Sequence, residues 1–305
     1  MPRSASRLVW LAAGVLALMV VGLVQAAPSL VASPASLSSG GKAYDAWWKV
    51  VPGATEPKDD HPLWSLQTTN TRKGPDTWRC KECHGWDYKG KDGAYGKGSH
   101  FTGFKGVLEA GQSKTVDELT AILKGSTNPK HDFSNLLDAA TITNLANFLK
   151  EGLLDETKLI DSATKKPVSA DVNHGKQLYD GTCAACHGAD GTKLNFGSEQ
   201  EPEYVGTLAA DNPWEFLHKV RAGQPGAAMP SGFENSWTTQ DAVDALAHAQ
   251  TLPAKIAAPT PTPQTPPAAL TLPKTGEDLS WTWMALASLT GLLLTISGTI
   301  LRRRT

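Results

Sequence analysis

Apolar positions recur at helical spacing through the middle of the chain, and a continuous apolar run stands near each end. The first run, Leu8 to Val24, follows Arg3 and Arg7 and closes on Ala26 and Ala27, which predicts a signal peptide over 1–27. The last run, Trp281 to Leu301, is long enough for a helix to span a bilayer and is followed by Arg302, Arg303 and Arg304. It predicts a transmembrane helix over 281–301 with a cytoplasmic tail, 302–305.

Between the runs, capping signals frame the helices. Thr115 and Glu118 form a capping box ahead of Leu119, Ile122 and Leu123, with a stop at Gly125. Ile142, Leu145, Ala146 and Leu149 share one face of a later helix that ends before Gly152. The same plan returns further on. A helix beginning near Asn173 carries Leu178 and Tyr179. Asn212, Pro213 and Glu215 open another that presents Phe216, Leu217 and Val220 and stops at Gly223. Thr238 with Asp241 opens a last helix carrying Val243 and Leu246. The expected class is therefore all-α, with a duplicated plan: domain 1 over 41–152, a linker over 153–170 and domain 2 over 171–252. Residues 28–40 read as a short tether. Residues 253–280 are rich in Pro and Thr and read as a stalk.

Charge changes this picture little. With 29 basic and 30 acidic side chains the chain offers no field for a polyanion, so a nucleic-acid partner is excluded.

The four cysteines change it a great deal, because all of them fall in two pentads, Cys80-Lys81-Glu82-Cys83-His84 and Cys183-Ala184-Ala185-Cys186-His187. This C-x-x-C-H pattern reads as covalent haem attachment. Two thiols at this spacing take the two vinyl groups of one porphyrin, and the adjacent histidine falls under the iron. A structural zinc needs four ligands where each pentad supplies three. A redox-active thiol pair would leave both histidines unexplained. The expected cofactors are two covalently bound haem c groups, on Cys80, Cys83 and His84 and on Cys183, Cys186 and His187.

The far-side ligands come from elsewhere. Of the four methionines, only Met229 lies outside the expected signal peptide and membrane helix. It follows the helix-ending Gly223 by six residues and is the expected thioether of the second haem. Domain 1 has no methionine. The same six-residue offset from Gly125 reaches His131, the expected second ligand of the first haem, with His100 as the competitor in its glycine-rich setting. His61, His174, His218 and His248 read as surface or capping residues.

At this point the residues resemble the class I cytochrome c domains, as a tandem dihaem protein, over most of 41–251. Gly175, Tyr179, Cys183 to His187, Gly188, Met229 and Pro230 carry the resemblance in domain 2. It implies that the first and last helices cross beside the haem, with Tyr179 and Leu246 at the contact. Domain 1 departs from the pattern. Its first helix, expected near Gly41 to Trp48, is separated from Cys80 by a stretch holding Pro52, Pro57, Pro62 and Pro75, and methionine is missing. The tail has its own resemblance: Leu272-Pro273-Lys274-Thr275-Gly276 looks like a cell-wall sorting signal cleaved by a sortase.

These readings imply an electron carrier rather than a self-contained enzyme, passing single electrons from the lower-potential first haem to the second. It is expected to be exported and anchored in the cell membrane with its haem domains outside, cell-wall attachment being the alternative. A membrane respiratory or other redox complex and a soluble electron carrier are the expected partners, with a sortase if the tail is processed. The alternative function is a haem-containing oxidoreductase, or a subunit of one, acting on a small substrate such as a sulfur compound.

Overall fold

Ser33 opens the first helix, its hydroxyl accepting from the Ser36 N–H at 3.2 Å, and Pro34 stands where a missing N–H costs nothing. The computed structural model describes residues 31–254. This helix, Pro34–Ala46 (α1), replaces most of the expected tether, and its small residues are what allow it to be buried. A Cβ at Gly40 would overlap the Asn144 carbonyl, so α1 crosses Ala139–Asn147 backbone to backbone. Gly175 stands in the same relation to the Asp244 carbonyl.

After α1 the chain runs through short 3-10 turns to Cys80–His84 (α2), then Leu108–Ser113 (α3), Val116–Leu123 (α4) and Ala139–Asn147 (α5), which continues as a π-helical turn over Phe148–Gly152. Val172–Thr182 (α6), Ala184–His187 (α7), Val205–Asp211 (α8), Pro213–Ala222 (α9) and Thr239–Ala249 (α10) follow. The Thr115/Glu118 and Thr238/Asp241 capping boxes both form, and Asn212 caps α9. Only isolated bridges, such as Gly90 with Lys105, stand in for strands among the described residues.

Two apolar cores result. Tyr44, Trp47, Tyr88, Leu119, Leu123, Phe133, Ile142, Leu145 and Phe148 are among those that build the first. Tyr179, Phe216, Leu217, Val220, Val243 and Leu246 are central to the second, which also takes in Ile160 from the expected linker. Each fully buried Leu or Phe contributes about 1.5–3 kcal/mol.

The cores meet along a polar seam between α1 and α9. Asp45 accepts from both Arg79 and Lys219. His218 donates through Nε2 to the Gly41 carbonyl at 3.0 Å and accepts at Nδ1 from the Tyr88 hydroxyl at 2.9 Å. The Ser38 hydroxyl lies 3.0 Å from the Ala222 carbonyl and 2.8 Å from Glu234. His218, His61 and His248 are thus buried, against the surface reading; His174 is partly exposed and pairs with Asp244 at 2.8 Å.

The expected transmembrane element requires a correction. Among the described residues no helix is long and apolar enough to cross a membrane. The longest, α1 with 13 residues, measures about 20 Å against a hydrocarbon core of roughly 30 Å. The span assigned to 281–301 lies outside the described residues, as do the signal peptide, the sorting-like pentapeptide, the tail and all of the stalk beyond residue 254. The all-α class stands for the described chain, and no described helix supplies the expected membrane anchor.

Candidate haem sites

Both pentads sit in one backbone frame. Each is followed by a glycine with positive φ, Gly85 at 78° and Gly188 at 83°, a conformation that a side chain would strain. Each of these glycines offers its carbonyl to a tyrosine from the preceding long helix: Tyr44 donates to Gly85 at 2.7 Å, Tyr179 to Gly188 at 2.8 Å. The histidine carbonyls are held alike, His84 accepting from the Gly90 N–H at 2.8 Å and His187 from the Lys193 N–H at 2.9 Å. Gly40 and Tyr44 therefore repeat Gly175 and Tyr179, a spacing the sequence displays.

At the first pentad the geometry is specific. His84 donates through Nδ1 to the Lys105 carbonyl at 2.6 Å, which leaves its Nε2 lone pair free. The His131 ring, on the 3-10 turn Pro129–His131, stands 6.3 Å from that of His84, centre to centre, at 81°. Two metal–nitrogen bonds of roughly 2 Å with a ring radius at either end span about 6 Å, so the pair is spaced as ligands on opposite sides of one metal. Burial pushes His84 down to about 4 and also lowers His131, against its hydrogen bond to the Ile122 backbone. Both rings are neutral at pH 7, as ligation requires. Burial pushes the Cys80 and Cys83 thiols up to about 12.

His100 has neither ring nitrogen free. Nδ1 lies 3.0 Å from Glu82, Nε2 is 3.1 Å from the Arg72 guanidinium, and the ring stacks on Tyr95 at 4.2 Å. His61 is the residue that sequence reasoning missed, its ring 6.2 Å from His131 and 4.5 Å from Trp78. Its Nδ1 accepts the Leu63 N–H at 3.1 Å, so the proton of the neutral ring sits on Nε2. His61 is set as a donor, whereas His84 is set as a ligand.

The 52–105 region wraps this first pentad. Glu82 is fully buried and accepts from Lys81 at 2.6 Å, Asn70 at 2.8 Å and His100. Burial alone would raise its pKa, but the His100, Lys81 and Asn70 contacts outweigh it and hold the carboxylate well below its usual range.

The second pentad is open by comparison. Ala185 and Cys186 are exposed. The His187 ring meets Phe196 edge-on at 5.5 Å, and its Nδ1 is buried without a hydrogen-bond partner. Burial pushes Cys183 up to about 11. Cys183, Ala184 and Met229 all pack against the second core. Among the described residues no three His, Cys, Asp or Glu side chains are grouped to hold a bare metal ion, so an iron here would come with its own equatorial ligands.

Residues 170–248 match the family model described as cytochrome c oxidase, cbb3-type, subunit III. The match contains the second pentad, Tyr179 and Met229. It identifies this segment as similar to a cytochrome subunit of a respiratory oxidase, a reading that thiol chemistry or a structural zinc does not share. No curated protein and no solved structure is similar enough to match the chain.

Proposed function

We propose that this chain is a dihaem cytochrome subunit of a respiratory oxidoreductase complex, relaying single electrons toward a partner subunit. The match of 170–248 to an oxidase subunit carries this reading, and it favours membership of an oxidoreductase over a free-standing carrier. The spacing of His84 and His131 supports extending it to the first pentad.

In this reading Cys80 and Cys83 bind one haem c with His84 and His131 as ligands, and Cys183 and Cys186 bind the other with His187 and Met229. Haem supplies a one-electron iron couple, and the protein supplies position, ligand type and insulation. Lys105 fixes the tautomer and orientation of His84. Phe133 packs edge-on against His131 and Trp78 packs against Phe133, while the Glu82 network closes the pentad off from water. Two nitrogen ligands favour a lower potential than nitrogen with thioether, so electrons run from the first site to the second. The open rim at Cys186, with the half-exposed Leu194 and Phe196 nearby in the chain, is the face from which they leave.

Mass spectrometry and potentiometric titration of the holoprotein test this. Two covalent haems and two one-electron waves, the lower one lost in a Cys80→Ser/Cys83→Ser variant, are expected. A single haem, or a lower wave that belongs to the second pentad, contradicts the proposal.

A further inference from the structure

The first pentad runs directly into the seam. His84 is followed by Gly85 and then Trp86, whose side chain is fully buried. The indole ring lies 4.8 Å, centre to centre, from the ring of His218 on α9. That helix is shared by both halves of the protein. His218, Lys219 and Ala222 face α1 and the first pentad, while Phe216, Leu217 and Val220 pack into the second core, against which Cys183 and Met229 also lie. One helix therefore separates the two candidate haem sites along this line.

We propose that Trp86 and His218 form the electronic bridge between the two haem sites, with α9 as the shared wall. The inference rests on the dihaem reading above. In the step, one electron is lost at the His84/His131 centre and one is gained at the His187/Met229 centre; no bond forms or breaks. No proton need move, because both nitrogens of His218 are already occupied, by Tyr88 and by the Gly41 carbonyl.

Two observations give Trp86 a role beyond filling space. Its indole N–H is buried without a hydrogen-bond partner, so a phenylalanine would fill the core without that desolvation cost. Its ring is also surrounded by cations, with Lys219, Lys81 and Arg79 at 5.2, 5.4 and 5.9 Å from the ring centre. Cations over the ring face stabilise the indole electrons and oppose a tryptophan radical cation. The ring thus serves as a closed-shell bridge, and no stable radical forms on it.

The test is flash photoreduction of the holoprotein with both haems bound, following electron redistribution between the two haem absorbances. Trp86→Leu is expected to slow the intramolecular phase several-fold while leaving both midpoint potentials and both low-spin spectra unchanged. His218→Leu interrupts the same contact from the other side and is expected to do likewise, so it carries the test if Trp86→Leu does not fold. Leu145→Ala loosens the first core and leaves Trp86, His218 and the hydrogen bonds of His218 in place, and it is expected to leave the rate unchanged. An unchanged rate in a folded Trp86→Leu or His218→Leu protein overturns the bridge, as does an equal slowing in Leu145→Ala, which would assign the effect to general packing. Loss of the second haem from the parent protein would overturn the dihaem reading instead.

Discussion

The two pentads are held by the same frame and covered by different material. In both, a tyrosine four residues after a crossing glycine donates to the carbonyl behind the histidine. Around the first, a proline-bearing insertion and the glycine-rich stretch after it bury Lys81 and Glu82 in a closed polar network; around the second, Ala185 and Cys186 face solvent. The shared part fixes where a haem and its histidine would sit. The differing part sets ligand type and exposure, the properties through which a protein adjusts haem potential and access. One half closes its pentad off and the other leaves its pentad open, the division that the proposed relay calls for.

The largest way to disturb this comparison is at the seam. Asp45 is buried between Arg79 and Lys219, and Asp45→Asn leaves those cations without their counter-charge, an expected loss of about 3–5 kcal/mol in urea denaturation. Acid probes the same group. Burial would raise its pKa, but Lys219 and Arg79 outweigh it and hold Asp45 below the usual carboxylate range, as the network around Glu82 does for that residue. A depressed carboxylate gives stability that is complete above its unfolded pKa and is lost as pH falls toward the folded one. Denaturation midpoints are expected to drop below about pH 4, and less steeply in Asp45→Asn.

Next come the two tyrosines. Tyr44→Phe strands the buried Gly85 carbonyl and is expected to cost about 1–3 kcal/mol. Tyr179→Phe should cost less, because its bond to Gly188 is only part-buried; equal costs would mean that the halves are equally shielded. The smallest effect is expected from Lys176→Ala, which removes an exposed pair with Asp180 and should change stability by less than about 0.5 kcal/mol.

Much of the frame was legible in the chain because it is written in local chemistry. Thr115 with Glu118, Asn212 with Pro213, and Thr238 with Asp241 are signals complete within four residues, and all three open helices where expected. Only the second half of the first helix was legible, as the helix expected near Gly41 to Trp48; Pro34 to Gly40 has the composition of a tether and becomes helical only where Gly40 and Gly41 pack against Asn144, Phe148 and Ala222. The repeated Gly-x-x-x-Tyr of Gly40 and Tyr44 could have found it. His61, His218 and His248 were read as surface or capping residues for a similar reason: the groups that bury His218 come from Gly41 and Tyr88, far away in sequence. Of the two histidines that the sequence offered, His131 has its ring 6.3 Å from that of His84, while His100 is tied to Glu82 and Arg72.

The most direct measurement is low-temperature EPR with near-infrared charge-transfer spectroscopy on the oxidised holoprotein, its His131→Ala variant and its His100→Ala variant. Two low-spin haems are expected in the parent, one with two nitrogen ligands and one with nitrogen and thioether. His131→Ala should turn the first high-spin, and His100→Ala should leave both low-spin. A high-spin haem in the parent, or a low-spin bis-nitrogen signal that survives His131→Ala, would contradict the assignment of the first site.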